Sequence, residues 1–484
     1  MSTSTLRVLL LALAGLALAG CASRPINPPI DRIDPAGGYR YQVHLARDAN
    51  PETMVILAFS GGGTRAAAFS YGVLEALRDT QMAGAKGGSV RLLDQVDVVT
   101  GVSGGSFTAL AYGLYGDRLF ADYEQRFLKR NIQGELIARF FAPRNWGALW
   151  SSGWGRSEMA AELYDEVLFQ GATFGDLARK HGPLIIATAT DISTGSRLGF
   201  LQTDFDLICS DLSTVPLSRA AAASSAVPLV LSPVTVNNYG GRCGFRDPAW
   251  ARAVADPGHR SRPAGRALQR YREMQDFQNG KDRPYLHLVD GGVSDNLGMR
   301  AVLEALEQLE LSKAMHRRTR LDDVRRIVVI VVNSRSVPRT DWDLKEDPPS
   351  DVAILIKAAG VPIDRYSFEA VELLKDMVAR WKTMREFKSS GALANAGNPA
   401  LAGAADVPEI DLYAIDVSFE AHPDAAERAF LNEQPTSFVL TDEGVDRLRA
   451  AAGTILFASP DFQRLLKDVG ATVVRAAPGA SAAR

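Results

Sequence analysis

Cysteine and histidine are scarce in this sequence, and neither is arranged as a metal site requires. The 484 residues include only three cysteines and six histidines. None of them occurs in the close Cys/His spacings that are typical of zinc sites. A marked excess of charge is also lacking: the formal net charge is −2, so the composition does not favour nucleic acid as a partner. We therefore expect a protein that works without a metal or another cofactor.

Apolar runs of about 20 residues, the length that a membrane-spanning helix needs, are missing as well. The run near the start, Leu6–Leu18, is shorter and leads into the sequence LAGC at Leu18–Cys21. Small residues at such a position are typical of a secretory signal, and the Cys makes the segment resemble the lipobox of bacterial lipoproteins. The resemblance implies a signal peptide over 1–20 and lipidation of Cys21. Ala22, where Asp would favour retention in the inner membrane, favours the outer membrane, so we expect a lipid-anchored envelope protein that faces the periplasm. The alternative is an ordinary signal peptide followed by an incidental cysteine.

Export to such a compartment bears on the other two cysteines and on the segment that follows Cys21. Disulfides persist outside the cytoplasm, so Cys209 and Cys243 are predicted to form a bridge, with two free buried thiols as the alternative. Residues 21–50 contain several prolines (Pro25, Pro28, Pro29 and Pro35). This composition predicts a semi-rigid tether between the anchor and the fold.

Along the rest of the chain, strand-like apolar runs alternate with helical patterns. This alternation predicts an α/β fold with a doubly wound, mostly parallel sheet. The predicted strands cover 53–59, 96–100, 184–188, 285–289, 326–332 and 411–419, and the predicted helices cover 65–79, a segment from about 107, 351–382 and 442–469. We predict a main domain over 53–305, a C-terminal α/β extension over 306–474 and a disordered tail over 475–484. An arginine-rich insertion over 237–283 is expected either to face anionic lipid head groups beside the site or to be an ordinary solvated surface.

The strongest functional signal is the G-x-S-x-G pentapeptide at Gly101–Gly105, which contains Ser103. It follows a predicted strand and precedes a predicted helix, which is the setting of a nucleophile elbow. Gly101 and Gly105 allow the sharp turn that exposes the serine hydroxyl. The pattern therefore predicts a serine acyl hydrolase, with a plain connecting loop as the alternative.

Two further motifs follow predicted strands. The sequence SGGGTRA at 60–66 provides a run of backbone N–H groups suited to an oxyanion or a phosphate. Ala66 weakens a dinucleotide-binding interpretation, and the Gly-Lys-Ser/Thr of a P-loop is absent. The third motif is Asp290-Gly291-Gly292. Because the C-terminal ends of parallel strands meet at one edge of a sheet, we expect all three motifs to come together there.

The order of these motifs resembles that of the patatin-like phospholipase family, over about residues 53 to 305. The resemblance implies a Ser–Asp dyad without histidine, in which Ser103 is the nucleophile and Asp290 is the general base. It also implies backbone donors to the oxyanion and a cation, Arg65, that holds their loop or contacts a substrate phosphate. The donors are Gly61, Gly62 and Gly63, and the motif glycines are Gly101, Gly105, Gly291 and Gly292. The activity implied is cleavage of phospholipid or lysophospholipid esters at a membrane through an acyl-enzyme.

Several alternatives remain open at this point. The alternatives to a lipid acyl hydrolase are a thioesterase or short-chain esterase, and a tethered lipid-binding protein without turnover. His287, as part of a Ser-His-Asp triad, is disfavoured because alternation along its strand directs it away from Asp290. Trp146, Trp150 and Trp154 are expected to form either an apolar acyl or interface patch or part of the core.

Overall fold

A computed structural model of the chain describes residues 23–45, 52–83, 88–149, 151, 154–255, 265–314, 324–390 and 409–473. The predicted signal peptide, Cys21, Trp150 and the tail over 475–484 lie outside these residues. The strands are β1 (Thr53–Phe59), β2 (Thr80–Ala83), β3 (Ser89–Arg91), β4 (Val98–Val102), β5 (Leu184–Asp191), β6 (Arg197–Gly199), β7 (Val234–Asn237), β8 (Tyr285–Asp290), β9 (Arg326–Asn333), β10 (Asp411–Ser418) and β11 (Thr472–Val473).

The helices are α1 (Tyr41–Leu45), α2 (Gly63–Arg78), α3 (Gly104–Tyr115), α4 (Leu119–Tyr123), α5 (Ile132–Phe141), α6 (Pro143–Leu149), α7 (Arg156–Tyr164), α8 (Phe174–Ala178), α9 (Gln202–Leu207), α10 (Leu217–Ser224), α11 (Ala249–Ala255), α12 (Gly265–Gln278), α13 (Gly292–Asp295), α14 (Arg300–Ala314), α15 (Asp351–Ser389), α16 (Ala425–Asn432), α17 (Asp442–Ala458) and α18 (Pro460–Asp468). None of the helices in the described ranges combines the length and the apolar character that crossing a membrane requires.

The central sheet has eight strands in the order β10-β9-β1-β4-β5-β8-β7, with β6 paired to β5. Strands β10, β9, β1, β4 and β5 run parallel, whereas β6, β7 and β8 join in antiparallel pairs. The smaller sheet has the order β11-β2-β3. The prediction of an α/β fold with a mostly parallel sheet is therefore confirmed.

The parallel strands are continuous apolar runs because helices cover both faces of the sheet. On one face, Gly113 of α3 lies against the side chain of Ile185. On the other face, the next residue, Ile186, lines a space that Leu306 of α14 also borders. This three-layer arrangement buries β5 completely.

The C-terminal region shares the central sheet with the first part of the chain. Strand β9 lies between β1 and β10, with Leu57 opposite Ile330, and α17 packs on α2. The predicted boundary between residues 305 and 306 therefore does not divide two sheets, because strands from both sides of it belong to the same sheet. The single helix predicted over 442–469 is two helices, because Ser459 caps a new helix that begins at Pro460.

The described part of the predicted tether, 23–45, is docked on the domain. Tyr39 is buried, and its hydroxyl accepts the backbone N–H of Ile185 at 2.6 Å. Arg40 forms a buried ion pair with Asp206. Burial of an aromatic ring and pairing of a buried charge hold this segment in one place.

The arginine-rich insertion also differs from the expectation that it borders the site. The insertion leads into β8, which begins at Tyr285. Asp290 of the third motif is the last residue of that strand, so at the usual rise per residue it lies about 16 Å from Tyr285. Cys243 in the insertion forms a disulfide with Cys209, with Cα atoms 5.5 Å apart. The insertion is therefore fastened at the end of the strand opposite to Asp290.

Several arginines of the insertion are engaged in internal ion pairs. Arg270 is buried and lies 2.9 Å from Asp204, and Arg283 pairs with the buried carboxylate of Asp191. Pairing within the protein removes these cations from any role toward lipid head groups and supports the structural interpretation of this segment.

Candidate active site

Ser103 occupies a strained turn between β4 and α3. Its backbone has φ 47° and ψ −120°, a left-handed φ that non-glycine residues rarely adopt. Its N–H donates to the hydroxyl of Ser224 at 2.9 Å, and the residue is 5 % exposed. Strain of this kind is retained where the surroundings over-determine the conformation, as at a nucleophile elbow.

The glycines beside Ser103 permit two turns to approach each other closely. A Cβ placed on Gly104 would lie 1.9 Å from the carbonyl oxygen of Gly63, and one on Gly105 would lie 2.6 Å from that of Ser60. Such distances exclude any side chain at these positions. The contact brings the SGGGTRA loop against the serine turn.

The structure corrects one of the three predicted oxyanion donors. The N–H of Gly61 donates to the carbonyl of Asn296 at 2.9 Å and is therefore occupied. Gly62 and Gly63 have positive φ values of 140° and 58°, and no acceptor among the described residues binds their N–H groups. Donors of this kind, already in place beside a nucleophile, suit the negative oxygen of an acyl-transfer intermediate.

Two helices direct their N-terminal ends at this point. Helix α2 begins at Gly63 and helix α3 begins at Gly104, directly after Ser103. The positive end of each helix dipole stabilises negative charge that develops there. The arrangement therefore adds electrostatic support to the N–H groups of the loop.

Asp290 is the carboxylate that faces Ser103. It is 7 % exposed, accepts a hydrogen bond from the Ser103 side chain, and accepts the N–H of Gly292 at 2.7 Å. Burial raises the pKa of Asp290 to about 6, although the two hydrogen bonds oppose this change. A carboxylate with this pKa is ionised at neutral pH and is a stronger base than an exposed aspartate.

Asp290 lies beside Ser103 because of an antiparallel strand pairing, and not because parallel strands end at the same edge of the sheet. Strand β8 runs antiparallel to β5, and the two pair over only three residues, from Ala189 opposite Asp290 to Asp191 opposite Leu288. The carboxyl ends of the two strands therefore overlap even though the strands run in opposite directions. His287 lies on the other face of β8, exposed and within 3.1 Å of the Thr235 hydroxyl, so it does not join the site.

A family model described as patatin-like phospholipase matches residues 57–303. The chain belongs to the patatin-like phospholipase family. The match covers all three motifs.

Solved structures similar to the chain include human GIVD cytosolic phospholipase A2, at 15 % identity and a TM-score of 0.42, covering 93 % of this chain and 66 % of that one. The same human enzyme with methyl gamma-linolenyl fluorophosphonate aligns at 11 % identity and a TM-score of 0.42, covering 91 % and 64 %. VipD from Legionella pneumophila aligns at 10 % identity and a TM-score of 0.23, covering 90 % and 72 %. The chain thus spans just under two thirds of the human enzyme, and among curated proteins none matches it.

In this patatin-like site Arg65 holds the SGGGTRA loop in place. It is buried, and its guanidinium donates to the carbonyls of Ser334 at 2.8 Å and Gln434 at 2.7 Å. Burial lowers the pKa of Arg65 to about 10, partly offset by Asp364, and leaves the group charged at neutral pH. These bonds support the loop-holding role rather than contact with a substrate phosphate.

Two residues that hold the turns around Ser103 and Asp290 were not predicted from the sequence. Ser224 holds the N–H of Ser103, as described above, and its own carbonyl accepts the N–H of Gly291. The backbone carbonyl of Asn296 accepts the N–H of Gly61. The side-chain oxygen of Asn296 packs closely on Gly292, since a Cβ added to that glycine would lie only 2.8 Å from it. Both residues lie outside the three motifs, so no local sequence pattern indicates their roles.

The serine opens into an apolar cavity of about 420 Å³. The lining comes from α5, α7, the segment after α10 and the C-terminal region: Gly63, Ser103, Gln133, Leu136, Ile137, Phe140, Phe141, Arg156, Met159, Ser225, Val227, Val230, Leu231, Thr436, Ser437 and Phe438. Among these described residues Arg156 alone is charged, and no carboxylate in the described ranges lies within ion-pair distance of it. The described residues contain no group of three or more His, Cys, Asp or Glu side chains that would hold a metal.

Proposed function

We propose that this patatin-like chain is a lipid acyl hydrolase in which Ser103 is the nucleophile and Asp290 is the general base. The observation that carries the proposal is the hydrogen bond between Ser103, which lines an apolar cavity, and a buried carboxylate of raised pKa. The unoccupied N–H groups of Gly62 and Gly63 support it, because an acyl-transfer intermediate needs donors at that position.

The chemistry follows from these groups. Asp290 takes the Ser103 proton as the hydroxyl oxygen attacks the acyl carbonyl, and the oxyanion receives hydrogen bonds from Gly62 and Gly63. Asp290 then returns the proton to the leaving alcohol oxygen as the ester bond breaks, which leaves an acyl-enzyme. Asp290 then takes a proton from water as the water oxygen attacks the acyl-enzyme ester. It returns that proton to the Ser103 oxygen as the ester bond breaks, which regenerates Ser103 and releases the fatty acid.

The substrates we propose are phospholipids or lysophospholipids. The cavity has the apolar lining that an acyl chain requires and a volume within the usual range of ligand sites. Arg156, half-buried in the same lining, carries a positive charge suited to a lipid phosphate.

We further propose that Cys21 carries a lipid and anchors the protein to the outer membrane, facing the periplasm. The sequence LAGC at Leu18–Cys21 motivates the anchor, and the Cys209–Cys243 disulfide fits a compartment where disulfides persist. Substitution of Cys21 by Ser is expected to abolish incorporation of a labelled fatty acid into the protein. If the variant incorporates the label as wild type does, Cys21 is not the site of lipidation.

The decisive test compares Ser103→Ala with Ser70→Ala, a matched control. Ser70 is a buried serine of α2 whose hydroxyl has no partner among the described residues. We expect Ser103→Ala to abolish fatty-acid release from phospholipid vesicles and labelling by a fluorophosphonate, and Ser70→Ala to preserve both. Labelling without fatty-acid release would redirect the assignment to a thioesterase or short-chain esterase, which a substrate panel would identify. If wild type shows neither labelling nor release, the protein binds lipid without turnover.

A further inference from the structure

Exposed apolar side chains cluster around the mouth of the cavity. We call this cluster the apolar rim; its members are Ile137, Phe140 and Phe141 of α5, Trp146 of α6, and Leu229 and Val230 of the segment after α10. Phe141 and Val230 are each 66 % exposed, and Leu229 is 63 % exposed. Scattered apolar residues are ordinary on protein surfaces, but a contiguous group marks an interaction site.

The apolar rim is continuous with the cavity that contains Ser103. Ile137, Phe140, Phe141 and Val230 line that cavity and also face solvent. An acyl chain that enters the site must therefore pass over the rim. The surface and the cavity form one apolar path from the outside of the molecule to the nucleophile.

Helix α5 is built as a surface helix with an uncovered apolar side. Of its ten residues, Ile132 alone is buried. Two ion pairs, Arg130–Glu135 and Arg139–Glu166, occupy its polar side. An amphipathic helix with this distribution is suited to lie in the plane of a lipid interface.

The segment after α10 presents its apolar residues in an unusual backbone conformation. Leu229 has φ 73°, in the left-handed region that favours glycine, and its side chain is nevertheless solvent-exposed. Its side chain leaves most of its apolar surface in water, and contact with lipid would remove that surface from water.

We infer that the apolar rim docks on the surface of a phospholipid bilayer, so that an acyl chain passes from the bilayer into the cavity without crossing water. The inference rests on the proposed function for the identity of the occupant. It makes the rim, in addition to any lipid at Cys21, a determinant of membrane contact. Arg144, exposed on α6, and Arg156 at the cavity place positive charge beside the rim, as contact with anionic phosphates requires.

The test uses the chain from residue 22 onward in every sample, so that neither the apolar run Leu6–Leu18 nor a lipid at Cys21 contributes to binding. Trp146→Ser combined with Leu229→Asn removes two rim side chains that do not line the cavity, and Asn tolerates the left-handed φ at 229. Val473→Asn is the control, because Val473 is an exposed apolar residue paired with Thr80, at the end of α2 remote from the site. Partitioning onto phosphatidylcholine–phosphatidylglycerol vesicles is measured by flotation, and hydrolysis of a soluble short-chain ester is measured in parallel.

We expect the double variant to partition at least roughly 10-fold more weakly than its parent, and the control to partition like the parent. Hydrolysis of the soluble ester should be unchanged in both. Equal partitioning of the double variant and its parent would overturn the inference, as would a parent that does not bind vesicles. A change in oligomeric mass without a change in partitioning would assign the rim to a second copy of the chain instead. Ser103→Ala in the same series should still bind vesicles, so a failure of the proposed hydrolysis is distinguishable from a failure of docking.

Discussion

Substitution of Asp290 by Asn is predicted to abolish hydrolysis and, at the same time, to stabilise the folded protein at alkaline pH. Burial raises the pKa of this carboxyl from its ordinary 3.8 to about 6, so the folded state disfavours the ionised form. Asn has nearly the same shape but never ionises, and its side-chain oxygen can still accept the N–H of Gly292. The variant therefore removes a charge that catalysis needs and folding opposes.

The magnitude follows from linkage between protonation and folding. A folded-state pKa above the unfolded-state pKa means that the stabilising contribution is complete below pH 3.8 and is lost as pH rises through about 6. The full loss corresponds to about 3 kcal/mol of unfolding free energy. The Asn side chain does not ionise, so the variant does not lose this stability. Its free energy of unfolding should exceed that of wild type by about 0.5 kcal/mol at pH 4 and by about 3 kcal/mol at pH 8.

Urea unfolding of both proteins at pH 4, 5, 6 and 8 measures this difference directly, and other ionisable groups cancel because they are common to the pair. In parallel, kcat/KM of wild type should fall about tenfold per pH unit below an apparent pKa near 6, because Asp290 must be ionised to accept the Ser103 proton. A stability difference that does not change between pH 4 and pH 8 would refute the argument that burial dominates the environment of this carboxyl.

Four further predictions concern other contacts of the site and fold. Gly104→Ala should reduce activity at least ~100-fold, because its Cβ would lie 1.9 Å from a backbone oxygen of the oxyanion loop; steady-state kinetics on a correctly folded sample checks this. Arg65→Met should lower the unfolding free energy by about 2–3 kcal/mol, measured by urea unfolding, since two carbonyl groups lose a charged donor. Arg156→Gln should lower kcat/KM for a phospholipid about tenfold and leave a neutral short-chain ester unaffected, and equal effects on both substrates would refute its role toward phosphate. Cys209→Ala with Cys243→Ala should destabilise the protein by about 3–4 kcal/mol, as expected for a bridge that closes 34 residues of chain, and thermal melting with and without reductant tests it.

The sequence predicted the elements that depend on neighbours along the chain. The strand over 53–59 has the bounds expected, and the strands predicted at 184–188 and 326–332 are present and only slightly longer. Apolar runs bounded by glycine and proline are sufficient for such predictions, because burial and backbone conformation are encoded locally. The motif glycines around Ser103 likewise indicated a sharp turn between a strand and a helix, which is where the residue lies.

Other features were decided by packing between distant parts of the chain. The docking of 23–45 depends on Asp206 and Ile185, and the occupation of the Gly61 N–H depends on Asn296. No local sequence pattern predicts such distant contacts. The expectation of a parallel β8 was wrong in direction because alternation along a strand does not report which way its neighbour runs.

By itself, then, the sequence determined the fold class, the strand runs and the three glycine-rich motifs, because each depends on a short stretch of chain. Only the tertiary structure decided which groups meet. Ser224 holds Ser103 across 121 residues, and Arg65 binds a carbonyl 369 residues away. The pKa of Asp290 is also a tertiary property, because desolvation by the surrounding packed protein, and not the residue type, raises it.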